Sequence, residues 1–123
     1  MRNKIFANIT NHPIDGWSTK QLAAAQELGE VVEVGFPVIP TDPNFDYTEV
    51  LDEYVTKMED LGVTTALVQG EMVFVYRLVT ELKQRGITCV AAMSERKVVE
   101  ELLEDGTTRK TVDFDFQGFR YYW

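Results

Sequence analysis

Thr64-Thr65-Ala66-Leu67-Val68-Gln69-Gly70-Glu71-Met72-Val73 is the stretch that decides the fold. Thr64 to Val68 is a short β-prone apolar run, and it stops at the polar cluster Gln69-Gly70-Glu71. Immediately afterwards the apolar residues change period: Met72, Val73, Val75, Tyr76, Val79 and Leu82 recur at helical spacing until Gly86. A strand that turns straight into a helix is half of a βαβ unit.

The flanks repeat the unit. Upstream, Tyr47, Val50, Leu51, Tyr54, Val55, Met58 and Leu61 predict an amphipathic helix over 46–61, closed by Gly62. Downstream, Ile87 to Ala92 reads as the fourth strand. At the start, Lys4 to Ile9 reads as the first strand, and Ser18 with Gln21 has the spacing of a capping box before Leu22-Ala23-Ala24-Ala25. Gly29 stops that helix, and Val31 to Val34 forms the second strand. Pro37, Pro40 and Pro43 forbid regular structure between them, which makes Val38 to Phe45 a long loop and a candidate lid.

This alternation predicts an α/β, Rossmann-like single domain over 1–123, with a parallel sheet of about four strands and three helices over 1–96. Residues 97–123 read as an appended C-terminal β-hairpin, Lys97 to Leu103 and Thr107 to Phe116 around Asp105-Gly106, followed by the aromatic tail Phe119-Arg120-Tyr121-Tyr122-Trp123. So aromatic an end is expected to be tucked onto the domain or buried against a second copy.

Composition narrows the function. With 123 residues, 45% of them hydrophobic, the chain can build its own core. The formal charge of -8, from 12 basic and 20 acidic residues, argues against duplex nucleic acid as a partner, because such binding depends on neutralising phosphates. A small anion held by backbone amides stays compatible with it. No run approaches the ~18 apolar residues of a membrane span, so a cytoplasmic protein without a membrane partner is expected. The single cysteine, Cys89, lies in an apolar run and reads as a packed thiol. Glycine-rich dinucleotide and phosphate-loop signatures and zinc spacings are lacking, so neither cofactor nor metal is expected.

If the strands are parallel, three polar clusters emerge along one edge, where open α/β folds place ligands. Thr10-Asn11-His12 follows the first strand and holds the one histidine of the chain. Its side chains can contact a sugar or phosphate, or simply satisfy a turn. Gln69 and Gly70 lie at a helix amino end, where Gly70 allows close approach to the backbone. Glu71 can act as a base or a ribose-hydroxyl acceptor, or merely cap the helix. Ser94 and Arg96 offer a hydroxyl and a bidentate cation for phosphate, or a surface ion pair. Asp113 and Asp115 read as an exposed acidic stripe.

At these clusters the chain resembles the small CRISPR-associated Rossmann-fold (CARF-like) proteins of type III immune systems. The resemblance rests on Thr10-Asn11-His12-Pro13, Val68-Gln69-Gly70-Glu71 and Ala91-Ala92-Met93-Ser94-Glu95-Arg96. It implies a homodimer that binds cyclic oligoadenylate, or a related small nucleotide, across the two-fold axis. It also implies metal-independent cleavage of the ring in the members called ring nucleases, with the ribose hydroxyl as nucleophile. Carried over, Thr10 and Asn11 would hold the sugar-phosphate ring, Gly70 would admit it, Arg96 would hold phosphate, and His12 or Glu71 would assist proton transfer. Ring nucleases of this type often carry a lysine where this chain has Glu71. The competing expectation is a non-enzymatic interaction module that uses the aromatic tail and the acidic face of the second long helix.

Overall fold

The computed structural model describes residues 3–123. In chain order it contains β1 (Ile5–Ile9), a 3₁₀ turn (Ile14–Gly16), α1 (Thr19–Leu28), β2 (Glu30–Glu33), α2 (Thr48–Leu61), β3 (Thr65–Val68), α3 (Met72–Gln84), β4 (Thr88–Leu102) and β5 (Thr108–Tyr121). The fold is α/β, with three helices and one five-stranded sheet of order β2-β1-β3-β4-β5. β1 pairs in parallel with β2 and β3, and β3 with β4, while β5 runs antiparallel to β4 and makes the sheet mixed.

Local chemistry sets the element ends. Ser18 Oγ accepts the Gln21 amide at 3.1 Å and starts α1, as the capping-box spacing requires. Gly62 ends α2 in the left-handed region at φ 69°, where a side chain would be strained. Glu71 caps α3.

Alternation divides the core between the two faces of the sheet. Ala7, Ile9, Ala66, Val68 and Cys89 face α2 and α3, where Tyr54, Met58, Phe74, Leu78 and Leu82 close the larger cluster. Phe6, Leu67 and Val90 face the other way, against Ala25 of α1 and Phe119 of β5. Phe119 lies 5.2 Å from Phe6 and 5.0 Å from Phe116, ring centre to ring centre. The aromatic tail is therefore anchored on its own domain: Tyr122 N–H donates to Cys89 O at 3.1 Å and its hydroxyl to Val68 O at 2.6 Å.

Two expectations need correction. The fourth strand does not stop at Ala92 but runs on to Leu102, so the Ser94-Glu95-Arg96 segment is strand rather than strand-end loop. Nor is the hairpin an appendage. Its inner half, Phe116 to Tyr121, completes the sheet beside Val90 to Ser94, and its outer half projects as a two-stranded arm. A register shift between Met93 and Ser94 marks where the arm leaves the body, and such bulges bend and twist a ribbon. Among the described residues, no helix is long and apolar enough to cross a membrane.

Candidate functional site: the rim at the carboxyl ends of the strands

The direction of winding reverses between β1 and β3, since β2 lies on one side of β1 and β3 and β4 on the other. Ile9 stands level with Val68, and Leu67 with Val90, so the ends of β1 and β3 share one rim with Ala91 and Ala92 of β4. In open α/β sheets ligands sit at that reversal.

On the β1 side the rim is built by a residue the sequence reading passed over. Asn8 is fully buried, and its amide donates to His12 O at 3.0 Å and to Glu33 Oε1 at 2.7 Å. Its Oδ1 accepts the Thr10 hydroxyl at 2.8 Å, and Thr10 Oγ1 in turn accepts the His12 amide at 3.1 Å. Glu33 Oε2 takes the Ile14 amide at 2.8 Å, and Trp17 Nε1 donates to His12 O at 3.0 Å. This clasp uses Thr10 to hold the turn. It leaves Asn11 and His12 exposed at its apex.

The β3 side is similarly committed. The Gln69 amide continues the β3 ladder by side chain: its Oε1 accepts Ala92 N–H at 2.9 Å, and its Nε2 donates to Ala92 O at 3.3 Å. Glu71 accepts the amides of Val73 at 3.2 Å and Phe74 at 2.8 Å, so its carboxylate neutralises the start of α3. Gly70 is glycine because the Phe36 ring from the loop after β2 lies against it; a Cβ there would meet the ring carbon at 2.4 Å. Phe36 also packs edge-on against Phe74 at 5.2 Å, which seats the first part of the proline-rich loop over the reversal.

Ser94 and Arg96 are exposed on the arm, Ser94 opposite Phe116 and Arg96 opposite Phe114. Four strand residues at ~3.3 Å each carry Arg96 roughly 13 Å beyond Ala92. Arg120, by contrast, stands opposite Ala91 and so near rim level, with Nη2 2.9 Å from Met93 Sδ. The structure thus brings Asn11, His12 and Gly70 to one rim, with Gln69 and Glu71 as its framework, and takes Arg96 away from it.

Beside the rim, a cleft of about 430 Å3 opens between α3 and the tail. Gln69 and Gly70 floor one end, and Met72, Tyr76, Tyr122 and Trp123 form apolar walls. Lys83 Nζ lies 4.0 Å from the centre of the Trp123 ring and steadies it by cation–π attraction. Burial raises the Tyr122 phenol above its ordinary value and pushes the Cys89 thiol up to about 12, so Cys89 stays a protonated packing group. Among the described residues, no three His, Cys, Asp or Glu side chains converge as a metal site would require.

Residues 4–120 match the Uncharacterized protein MJ1673 family. The chain belongs to that family. No curated protein matches it.

In this MJ1673-family chain, Asn8, Glu33, Phe36 and Arg120 are the site-forming residues that the sequence reading missed. A polar Asn8 between buried Ala7 and Ile9 was the one available signal. Phe36 and Arg120 gave none, because their importance comes from chain segments that meet only in the fold.

Proposed function

We propose that the chain is a receptor for a small oligonucleotide messenger of the cyclic oligoadenylate type, bound at the strand-end rim of a homodimer. The β2-β1-β3-β4 parallel unit is read as Rossmann-like, and its reversal point is the observation that carries the proposal. Exposed Asn11 and His12 offer hydrogen bonds to ribose and phosphate, the aromatic walls of the neighbouring cleft offer stacking for bases, and Arg120, level with Ala91, offers a cation. Cleavage, if it accompanies binding, would use the ribose hydroxyl as nucleophile with His12 at the proton, since both Glu71 oxygens already accept backbone amides. The test is calorimetric titration with cyclic tetra- and hexa-adenylate, followed by chromatography of the incubated ligand. Saturable binding that Asn11→Ala or Arg120→Ala weakens supports the reading, and no heat with either ring ends it.

The exposed aromatic surface favours a second reading, that of a protein-docking module. Met72, Tyr76 and Trp123 stand out around the cleft. Deleting the tail is a poor test, because Phe119 and Tyr122 hold the sheet together. Tyr76→Ala with Trp123→Ala, assayed for loss of a co-purifying protein, addresses the surface alone.

A further inference from the structure

We infer that the projecting arm is a self-association element: β4 of one copy pairs antiparallel with β4 of a second copy. Beyond Asp115 and Ser94 almost every arm residue is exposed, and among the described residues no helix or third strand covers it. An unsupported two-stranded hairpin is marginal in water. This one extends about 30 Å, taking ~3.3 Å for each residue from Ser94 to Leu102. Its register places Val98 beside Val112, with Phe114 and Leu102 on the same face. All four are exposed, Phe114 to 71% and Leu102 to 76%. Such a ribbon invites a third strand on its open edge.

The charge order says which strand fits. Along the free edge of β4 the sequence is Arg96-Lys97-Val98-Val99-Glu100-Glu101, basic toward the body and acidic toward the tip. A parallel copy would set like charges against like. An antiparallel copy, related by a two-fold axis at Val99, sets Lys97 opposite the second copy's Glu101 and Val99 opposite the second copy's Val99. Within the arm Glu101 already faces Arg109, and Lys97 faces Asp113. The pairing therefore completes a row of alternating sign across four strands, Arg109, Glu101, the second copy's Lys97 and the second copy's Asp113, and symmetry repeats it. Placing the axis at Val98 instead would oppose Glu95 to Glu101, which disfavours that register. The body end of the edge is already closed by β3 and by the Gln69 amide on Ala92, so the open stretch coincides with the complementary one.

The inference does not depend on what the rim binds, and its experiment contains no nucleotide. Light scattering over a dilution series of the full chain should give twice the chain mass. Lys97→Glu and Glu101→Lys each oppose like charges at two symmetry-related places, so each variant alone should dimerise roughly tenfold or more weakly. An equimolar mixture of the two should recover the dimer, because both contacts in the mixed pair are then of opposite sign. In a Val99→Cys variant, oxidation should link two chains across the axis, while Val112→Cys on the far strand should not; Cys89 is buried and does not compete. A wild-type chain that remains monomeric, single variants that dimerise as well as wild type, a mixture that recovers nothing, or cross-linking through position 112 in place of 99 would each overturn the proposal.

Discussion

The body and the arm of this chain obey opposite rules. In the body, polar groups are satisfied one by one, down to the fully buried Asn8, and among the described residues no buried side-chain nitrogen or oxygen lacks a partner. In the arm, valines, a leucine and a phenylalanine stand in water while the charges pair across an exposed surface. The body is specified by burial. The arm is specified by backbone pairing with β5, and its side chains are left for another role.

Stability measurements can break that comparison. The widest gap should separate two phenylalanines. Phe74→Ala empties a fully buried site between Phe36 and Tyr54 and should cost about 3–5 kcal/mol in denaturant unfolding. Phe114→Ala on the arm should cost about 0.5 kcal/mol or less in a dilute sample. Equal losses would show that the arm is part of the core.

Next comes the clasp. Asn8→Ala takes the donor from Glu33 Oε1 and leaves the Thr10 hydroxyl only His12 O as acceptor at 3.1 Å, and should destabilise by about 1–3 kcal/mol. The same truncation at exposed Asn11 should leave the melting midpoint almost unchanged while weakening any rim ligand.

Gly70→Ala tests how tightly the loop is seated. Its methyl would overlap the Phe36 ring, and the repacking should cost about 1–3 kcal/mol. Loss of the Phe36–Phe74 contact would be visible as shifted aromatic proton resonances. Unchanged stability would mean that Phe36 swings aside freely, as a lid does.

The smallest effect belongs to the base of the arm. Asp115 is held below the ordinary carboxylate value by its hydrogen bond from Lys97, with Lys20 adding a further attraction. A carboxyl whose folded pKa is depressed stabilises the fold above its unfolded pKa, and that contribution is lost as pH falls through the folded value. Lys97→Ala should lift the Asp115 midpoint in a carbon-13 titration and flatten the acid side of the stability curve slightly. A midpoint that stays where it was would remove Lys97 as the cause.

The sequence was a good guide wherever one side of an element is wet and the other dry. α2 follows its apolar period and Ser18 with Gln21 marked the start of α1, but the buried face of α3 is Phe74, Val75, Leu78, Val79 and Leu82, while the expected Met72, Val73 and Tyr76 are exposed. It misled at Ser94-Glu95-Arg96 for a physical reason. A ribbon with water on both faces needs no apolar alternation, so a polar stretch in the middle of β4 looks like an ending. At the rim, residue types gave location without duty. Thr10, Gln69 and Glu71 are where they were expected, yet their hydrogen bonds are spent on the chain itself, and only coordinates reveal which donors are already taken.

The Gln69 amide behaves as a borrowed peptide unit, lying against Ala92 just where the long strand departs. The joint between arm and body is consequently held from the side as well as along the strand. The ribbon thus leaves the sheet at a point pinned by a side chain next to Gly70 and the Phe36 ring, and its root is fixed by the same residues that frame the rim.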